Sequence, residues 1–436
     1  MSILISAALC LATAAILVTE DTWPGFRGDG TNLTPAHDLP LEWSPVDNIA
    51  WSVSVRGYGQ SSPVIWNDRV FVSSVEGEEK ETSIVTSINL SDGKTLWQHA
   101  FPSAQRIENT SFVSKAAPTP ATDARGVYVF FESGDLIALS HGGEVLWQKN
   151  LSQAYGIEHA RHGLGNSVAQ TEDTLFVLVE QADPSLLIAF DKATGAERWK
   201  TGRDGRTSWT SPVVAELGGR ETLLISSATS LIRYDAKTGE ALNTLDGLNG
   251  ISIPSPTVAG DIVVVGANST RAKDGVRTAE QSNCAVRLSA SGEPGFDVIW
   301  EGDGAQADYA SPLIHRGNVY FVTARGDVQC RDLATGAVRY VERVHPCWAT
   351  PVAAGDRIYL FGKEGACTVI EAGNAFKVLA ENRLWDESAG EAPAREDGEK
   401  AYKTPKTVLY AVAAVEHTLL ARTGEKLIAI RNLTLE

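Results

Sequence analysis

The sequence predicts an all-β fold, an eight-bladed β-propeller with four-stranded blades. Two repeats support this prediction, a turn motif that recurs along the chain and a strand motif that precedes each turn. The apolar runs between the turns are short, β-branched and bounded by Gly, Pro, Asn and Asp, as expected for strands. Four such strands per unit, at a period of about 40–50 residues, are typical of a propeller blade.

The turn motif is complete in AFDKATGAERW, Ala189–Trp199, where a Trp follows the Thr-Gly pair by four residues. Related stretches are SINLSDGKTLW, ALSHGGEVLW, YDAKTGEALN and RDLATGAVRY. The Gly allows the positive φ of a tight turn, and the large ring can be buried against the next blade. We therefore expect six aromatic residues to dock blade on blade: Trp51, Trp97, Trp147, Trp199, Trp300 and Tyr340.

The strand motif is SSPVIWNDRVFV, in which seven residues separate Pro63 from Val70. The same motif recurs with reference positions 63, 120, 168, 212, 256, 312, 351 and 412. These eight units predict eight blades, and seven blades is the competing count because the last unit is the weakest.

The two ends of the chain predict how the ring closes. The last unit has three apolar runs and no fourth, whereas NIAWSVSV, Asn48–Val55, looks like a lone fourth strand. Pairing of residues 48–55 with residues 407–431 would complete the last blade and remove its exposed edge. The predicted domains are a signal peptide or N-terminal anchor at 1–20, an extension at 21–47 and the propeller at 48–431, with an acidic mobile loop at 386–403 between blades 7 and 8.

Composition narrows the environment and the partners. The apolar run at residues 3–18 is shorter than the roughly 20 residues of a comfortable membrane span. It indicates a secretory signal or an anchor, and thus an exported protein of the periplasm or cell envelope. A net charge of −16 argues against nucleic acid as a partner, and leaves membrane contact only to the possible anchor.

Four cysteines follow the leader, namely Cys284, Cys330, Cys347 and Cys367. In an exported chain they could form two disulfides, whose pairing the sequence does not determine. Isolated strand cysteines are more often buried thiols that pack as small apolar side chains.

The Ala-x-Asp-x-x-Thr-Gly-x-x-x-Trp pattern of residues 189–199 resembles the tryptophan-docking repeat of PQQ-like (quinoprotein-type) propellers. The opening WPGFRGDGTN, Trp23–Asn32, resembles the start of PQQ-like repeat proteins from planctomycete-type bacteria. Two branches share the repeat, so the resemblance implies the fold and leaves two functions open. One branch comprises non-catalytic envelope propellers similar to the outer-membrane assembly factor BamB, and the other comprises PQQ-dependent dehydrogenases.

Candidate binding residues lie in the segments that precede the first strand of each blade, because these segments meet on one face of the ring. They are unusually basic and aromatic for an acidic protein, and such side chains commonly anchor recognition sites. The candidates are Arg56, Tyr58, Lys115, His159, Arg161, His162, Trp209, Asp308, Tyr309, His345 and Trp348. The alternative is that these are ordinary solvated loops with local stacking.

Three sharper hypotheses concern the same residues. A metal site would use His159, His162 and His345, although the spacing is common by chance. A PQQ site would use Trp209 or Trp348 as a stacking floor and Asp308 as base, with Ca²⁺ to polarise the quinone. A carbohydrate site would use Trp209, Tyr309 and Trp348. The resemblance to PQQ alcohol dehydrogenases implies a disulfide of two adjacent cysteines and long insertions, and this sequence has no Cys-Cys pair and few long insertions. We therefore predict a scaffold that binds envelope protein or peptide without a cofactor. The alternative is a quinoprotein-like oxidoreductase with PQQ and Ca²⁺.

Overall fold

The fold is an eight-bladed β-propeller, described by a computed structural model. The structure describes residues 19–110, 113–158, 162–205, 207–227, 229–249, 253–268, 281–289, 295–386 and 407–433. Its strands form eight antiparallel sheets of four blade strands, which confirms the predicted fold class and blade count. Residues 1–18 of the predicted leader lie outside the described residues, as does nearly all of the predicted acidic loop. Within the described part, no helix is long and apolar enough to cross a membrane.

Each blade runs from an inner first strand to an outer fourth strand. Three strands precede the first complete blade, β1 (Thr22–Trp23), β2 (Leu33–Thr34) and β3 (Ile49–Ser54). Blade 1 comprises β4 (Val64–Trp66), β5 (Arg69–Glu76), β6 (Thr82–Asn89) and β7 (Thr95–Pro102), and blade 2 comprises β8 (Ala121–Asp123), β9 (Gly126–Phe130), β10 (Asp135–Leu139) and β11 (Val145–Asn150). Blade 3 comprises β12 (Ala169–Gln170), β13 (Thr174–Val179), β14 (Leu186–Asp191) and β15 (Glu197–Gly202), and blade 4 comprises β16 (Val213–Leu217), β17 (Arg220–Ser227), β18 (Ser230–Asp235) and β19 (Ala241–Asp246).

The remaining strands follow the same order. Blade 5 comprises β20 (Thr257–Ala259), β21 (Ile262–Val265), β22 (Cys284–Leu288) and β23 (Phe296–Glu301), and blade 6 comprises β24 (Leu313–His315), β25 (Asn318–Val322), β26 (Asp327–Asp332) and β27 (Val338–Arg343). Blade 7 comprises β28 (Val352–Ala354), β29 (Arg357–Phe361), β30 (Ala366–Glu371) and β31 (Val378–Arg383). Blade 8 comprises β32 (Leu409–Val415), β33 (Thr418–Thr423) and β34 (Lys426–Ile430), together with β3. A single helical turn, α1 (Leu151–Tyr155), follows blade 2 and is capped by the Asn150 side chain.

The core lies in the seams between blades. The second and third strands are almost wholly buried, whereas the outer strands alternate between exposed and half-buried residues. The buried clusters join neighbouring blades, such as blades 2 and 3 through Phe130, Leu136, Val177 and Ile188. A blade is therefore stabilised mainly by its two neighbours, as expected for a repeat fold.

The ring closes as predicted. Strand β3 pairs antiparallel with β34, so a segment from near the start of the chain forms the fourth strand of blade 8. Trp51 pairs with Ala429 in this sheet. The closure leaves no unpaired edge at the junction of the two chain ends.

The N-terminal extension fills the central channel, which the sequence did not predict. Strand β1 pairs with β4 of blade 1, and β2 pairs in parallel with β28 of blade 7, both of which are inner strands. Between them, the Pro24 carbonyl accepts hydrogen bonds from the backbone of Thr122 and the side chain of Gln170. Trp23 is completely buried. The extension thus contacts several blades from the inside.

The chain reverses inside the channel at RGDGTN. Arg27 and Asn32 both adopt left-handed φ, as do Gly28 and Gly30. At Gly30 a side chain would also be crowded, because a Cβ atom would lie 3.2 Å from a Val213 methyl group. The Arg27 guanidinium donates to the Pro256 carbonyl and the Thr257 hydroxyl on blade 5, and burial lowers its pKa to about 9.

The extension then leaves the channel and packs on blade 7. The Trp43 backbone N–H donates to the Asn382 side chain, and the Trp43 ring stacks on Tyr359 and Phe361 at centroid distances of 6.4 and 5.9 Å. The fourth strand of blade 7 has Ala380 at the position where six other blades carry the docking aromatic residue and blade 4 has Asn243, since Ala380 pairs with Val369 as Trp199 pairs with Ala189. Trp43 therefore fills a seam that the repeat leaves without its ring.

The four cysteines after the leader are buried thiols in the structure and form no disulfide. Burial raises the pKa of Cys330 to about 11 and that of Cys347 to about 12. Of the two possibilities left open by the sequence, the structure has the unpaired one.

Candidate binding face

One face of the ring carries the segments that precede the first strands, together with the connections between second and third strands. We call it the loop face, and it includes residues 55–63, 103–110, 113–120, 157–158, 162–168, 207–212, 302–312, 344–351, 362–365 and 424–425. An antiparallel four-strand meander brings these two kinds of connection to the same end of each blade. The candidate residues that the structure describes lie on or beside this face.

Four aromatic side chains form a continuous row across blades 6, 7, 8 and 1. Tyr309 contacts Trp348 at a centroid distance of 5.2 Å, Trp348 contacts Tyr410 at 6.3 Å, and Tyr410 contacts Tyr58 at 6.2 Å. The Tyr58 and Tyr410 hydroxyls hydrogen bond to each other at 2.7 Å. We call these four residues the aromatic row. Tyr309 is 42% exposed, so the row opens to solvent at its blade 6 end.

Two lysines lie over the rings of this row. The Lys115 ammonium is 5.6 Å from the centroid of Tyr58, and the Lys363 ammonium is 5.5 Å from the centroid of Trp348. Lys115 also donates to the Thr110 carbonyl at 2.8 Å, which holds it in place. An ammonium group and the aromatic face beneath it attract each other electrostatically. The row therefore has an ammonium group over two of its rings, and one of these, Lys363, also lies 3.9 Å from Glu364.

Arg56, Trp209 and His162 do not join the row. The Arg56 guanidinium forms a salt bridge with Glu76 at 2.6 Å, and both side chains are largely exposed. Trp209 contacts the His162 ring at 6.0 Å and donates its indole N–H to the Gly163 carbonyl at 3.2 Å. These two rings belong to the loops before blades 3 and 4, away from the blades that carry the row.

Asp308 and His345 make structural contacts. The Asp308 carboxylate accepts hydrogen bonds from the Ala324 backbone N–H at 2.7 Å and from the Gln306 side chain at 2.8 Å, and the residue is buried. The His345 ring faces Glu381 on the outer strand of blade 7, with 3.5 Å between Nε2 and the carboxylate. His159 and Arg161 lie outside the described residues.

Buried ion pairs fix the loops below the face. Lys80 and Glu132 lie 3.3 Å apart and are each 2% exposed, while both Glu132 oxygens accept from the Ala116 backbone N–H. Burial raises the pKa of Glu132 and lowers that of Lys80, and their mutual attraction opposes both effects. A second pair, Arg203 and Glu180, lies at 2.6 Å. Removing one partner of such a pair leaves an uncompensated buried charge, so the pairs hold the loops rigidly.

The described residues do not fit a metal or quinone site. No group of three or more His, Cys, Asp or Glu side chains among them could hold a metal ion. His162 and His345 precede blades 3 and 7, which lie on opposite sides of an eight-bladed ring. The candidate base of the quinone site, Asp308, has both carboxylate oxygens engaged by Ala324 and Gln306. Of the two alternative stacking rings, Trp209 precedes blade 4 and Trp348 precedes blade 7. The same separation of the tryptophans argues against the three-ring carbohydrate site.

Sequence reasoning missed three residues of this face. Tyr410 completes the row from the first strand of blade 8, Lys363 lies over Trp348, and Arg422 is buried beneath Tyr58. Tyr410 and Arg422 belong to the weakest repeat, where the alignment of units was least certain. An Arg inside the apolar run TLLART was the available signal for Arg422, because strand interiors seldom hold an unpaired charge.

The docking aromatic residues show a repeated geometry at the seams. The indole N–H groups donate to a backbone carbonyl of the next blade, from Trp51 to Leu90, Trp97 to His141, Trp147 to Lys192, Trp199 to Ala236 and Trp300 to Leu333. Tyr340 instead contacts the Phe376 ring at 5.5 Å. A ring of eight such blades, closed by its own N-terminal strand, defines the class of protein: a PQQ-like β-propeller.

Comparison with known proteins identifies the family. The profile of the family described as outer membrane protein assembly factor BamB matches residues 46–161 and 143–361, and the chain belongs to this family. Outer membrane protein assembly factor BamB of Burkholderia pseudomallei is 26% identical over 259 residues, which cover 57% of this chain and 61% of that protein. The match thus spans less than two thirds of the relative's length.

Solved structures show the same fold at low identity. BamB from Moraxella catarrhalis has a TM-score of 0.60 and 15% identity, covering 88% of this chain and 99% of that one. Quinohemoprotein alcohol dehydrogenase from Comamonas testosteroni also has a TM-score of 0.60, with 12% identity, covering 96% of this chain and 81% of that one. Two proteins with different activities match equally well, so this likeness establishes the fold and does not decide the function.

Proposed function

We propose that the protein is an exported, non-catalytic scaffold of the cell envelope, which binds a protein or peptide partner on its loop face. Membership of the BamB family supports the scaffold function and suggests partners in outer-membrane protein assembly. The leader at residues 3–18 supports export. The single observation that carries the binding role is the aromatic row, because aromatic side chains are enriched at protein interfaces and the row is open to solvent at Tyr309.

The quinoprotein alternative has no comparable support. Its candidate base, Asp308, already accepts hydrogen bonds from the Ala324 backbone N–H and the Gln306 side chain. We expect titration of the purified protein with PQQ and Ca²⁺ to give no saturable quenching of tryptophan fluorescence. Saturable quenching with dye-linked oxidation of an alcohol or sugar would overturn the scaffold proposal.

Site-specific photo-crosslinking in the native host tests the proposal. A benzoylphenylalanine residue replaces Tyr309 on the loop face in one strain and Leu146 on the outer strand β11 in another. The two positions are 42% and 47% exposed, so they present the photoprobe equally well to solvent. We expect a discrete, light-dependent adduct with an envelope protein from position 309 and none from position 146.

Two controls sharpen this experiment. Cell fractionation should place the protein in the envelope, and Trp348→Ala should weaken the adduct formed from position 309 because it removes the middle of the row. Adducts of equal yield from both positions, or none from either, would contradict binding at the loop face.

A further inference from the structure

Arg422 is a buried cation without a charge partner. It lies on β33 of blade 8 and has no exposed surface. Its Nε and Nη1 atoms have no hydrogen-bond acceptor among the described residues. Its Nη2 atom lies 3.5 Å from the carbonyls of Ser73 and Gly424, which is at the outer limit for a hydrogen bond. Burial lowers its pKa to about 10, so the group remains charged at neutral pH.

Other buried basic side chains in the described part of the ring have a carboxylate partner or close hydrogen bonds. Arg27 and Arg233 each leave only Nε without an acceptor, because both of their terminal nitrogens donate to protein oxygens. Lys80 pairs with Glu132 and Lys192 pairs with Asp123 at 2.6 Å. Arg431 has no carboxylate beside it, yet each of its guanidinium nitrogens donates at 3.0 Å or less, to Thr418, Ser91 and Leu90. Arg422 departs from this pattern. Burying an unpaired charge is costly, and a native fold seldom retains one without a function.

The guanidinium lies under the Tyr58 end of the aromatic row. A Cβ atom on Gly59 would be 2.7 Å from Nη2, so only backbone covers this side of Arg422. The Tyr58 ring rests on Gly424 and is close enough for its hydroxyl to interact electrostatically with Arg422. Tyr58 in turn is held by the hydroxyl of Tyr410. A single hydroxyl pair and one ring therefore separate the unpaired cation from the loop face.

The surroundings favour an anion with an apolar body. Lys115 and Lys363 lie over Tyr58 and Trp348. Two carboxylates lie nearby, because Glu364 is 3.9 Å from the Lys363 ammonium and Glu425 interacts electrostatically with Tyr58. No carboxylate contributes to the pKa shift of Arg422, because its electrostatic interaction is with the Tyr58 hydroxyl. An isolated guanidinium is well suited to a carboxylate, because the charge-assisted hydrogen bonds are strong.

We propose that the seam between blades 8 and 1 binds a peptide carboxylate, which displaces the Tyr58–Tyr410 hydroxyl contact and pairs with Arg422. The flanking aromatic or apolar side chains of the peptide pack on Trp348 and Tyr309. This inference rests on the proposed function, since it names the chemistry of the partner segment: an acidic residue between aromatic residues. The peptide carboxylate accepts hydrogen bonds from the unsatisfied nitrogens of Arg422. The free energy gained from these bonds offsets the loss of the hydrogen bond between the Tyr58 and Tyr410 hydroxyls.

Fluorescence anisotropy with matched peptides tests the proposal. The probes are fluorescein-labelled Gly-Ser peptides with a central Phe-Glu-Phe, Phe-Gln-Phe or Phe-Lys-Phe. The net charge of −16 disfavours the glutamate peptide at long range, so a preference for it reports local cations. We expect the Phe-Glu-Phe peptide to bind about tenfold more tightly than Phe-Gln-Phe, with Phe-Lys-Phe the weakest. Equal affinity for Glu and Gln would overturn the proposal.

The variant Arg422→Met separates binding from folding. It removes an unpaired charge and keeps an apolar side chain of similar length, so we expect an unfolding midpoint equal to or above that of the wild type. The preference for Glu over Gln should disappear. A large fall in the midpoint, or an unchanged preference, would show that Arg422 has a structural role instead.

A second variant, Arg422→Lys, keeps the charge and provides a test if the methionine variant does not fold. It should retain a preference of several-fold, because the ammonium still attracts the carboxylate but lacks the planar fork. Loss of all preference in the lysine variant, with the fold intact, would contradict a charge-based site. The proposed function fails separately: it fails when position 309 gives no adduct in cells, whereas this inference fails when the peptides bind without discrimination although that adduct forms.

Discussion

The seam between blades 3 and 4 and the seam between blades 7 and 8 bury a tryptophan by different routes. At the first seam the repeat supplies Trp199, which contacts the Phe176 ring at 5.8 Å and donates to the Ala236 carbonyl. The turn of blade 4 accommodates the ring with Gly239, where a Cβ atom would lie 2.5 Å from it. This seam is built entirely from residues of consecutive repeats.

The seam between blades 7 and 8 lacks both parts of that device. Its docking position is Ala380, and blade 8 has no turn after β34 because its fourth strand comes from the other end of the chain. Trp43 of the N-terminal extension occupies the seam and stacks on Tyr359, which pairs with Val369 as Phe176 pairs with Ala189. In this ring, an irregular segment thus fills the seam beside the blade in which the two ends of the chain pair.

Removal of residues 1–47 is expected to have the largest effect, because it takes away Trp23 from the channel and Trp43 from the last seam. Each buried Trp removes about 150–250 Å² from water, worth roughly 4–6 kcal/mol at about 25 cal/mol per Å². Two such losses match the whole stability of a typical domain. We expect the protein starting at Asn48 to lose near-ultraviolet circular dichroism and cooperative unfolding.

The matched control is the protein starting at Thr19, which keeps every described residue. A synthetic peptide of residues 19–47 added to the shorter protein should restore part of the signal. A shorter protein with the same unfolding midpoint as the control would contradict a structural role for the extension.

Single substitutions compare the two seams directly. Trp43→Ala and Trp199→Ala should each lower the free energy of unfolding by about 3–5 kcal/mol, measured by urea denaturation. Trp43 is 5% exposed and Trp199 is only half-buried, so the first loss should be the larger. The double variant should show additive losses, to within about 0.5 kcal/mol, because the seams share no residues.

A second substitution tests whether Trp43 replaces the missing ring of the repeat. In the Trp43→Ala background, Ala380→Trp should recover part of the lost stability, because it returns an indole to the docking position. The same Ala380→Trp change in the wild type should destabilise, since the seam is already filled. No recovery in the Trp43→Ala background would mean that the two rings occupy different spaces.

The sequence predicted the repetitive part of this architecture and missed the irregular part. The Asp-Thr-Gly-Trp turns and the strand motif located all eight inner strands, and the lone strand at Asn48–Val55 predicted the closure. Trp23 and Trp43 belong to no repeat, so periodicity carried no information about where they pack. The density of Gly, Asp and Asn in RGDGTN signals a tight reversal, but a turn motif alone does not say that the turn lies inside a channel.

The candidate site was predicted less completely than the fold. The order of strands placed Tyr58, Tyr309 and Trp348 on one face, and blade topology alone was enough for this. Which rings touch depends on loop conformation, and Trp209 therefore pairs with His162 instead of joining the row. Asp308 shows the same limit, because sequence does not reveal that the Ala324 amide already occupies its carboxylate.

Gly239→Ala isolates the packing contribution at the regular seam. Gly239 has φ of +74° and its added Cβ would meet the Trp199 ring, whereas Gly219 has φ of +70° and nothing within 4 Å of its Cβ position. In both alanine variants the left-handed backbone lowers the free energy of unfolding by roughly 1–2 kcal/mol. We expect Gly239→Ala to cost about 1–3 kcal/mol more, from overpacking against the ring. Equal losses in urea denaturation would mean that the ring shifts freely within the seam.

The smallest expected effect concerns the Thr-Gly turn itself. Asp191 accepts from the Thr194 N–H and hydroxyl at 2.9 Å and from Arg198 at 2.7 Å. The Arg198 hydrogen bond is the main cause that lowers the pKa of Asp191 from 3.8 to about 2. Since the folded pKa lies below the unfolded one, the ionised carboxylate stabilises the fold above about pH 4 and this stabilisation is lost as the pH falls toward about 2.

Asp191→Asn should therefore lower the free energy of unfolding at pH 7 by no more than about 1 kcal/mol, because solvent screens most of the interaction at this exposed turn. The difference from the wild type should shrink between pH 4 and pH 3, because Asp191 of the unfolded chain, with a pKa of 3.8, takes up a proton there while the folded carboxylate stays ionised. Urea denaturation of both proteins at pH 7, 4 and 3 measures it. A difference that does not change with pH would assign the contribution of Asp191 to its hydrogen bonds with Thr194 and not to its charge. Blade 8 has no such turn, so its closing strand would then lack those hydrogen bonds and no charge interaction.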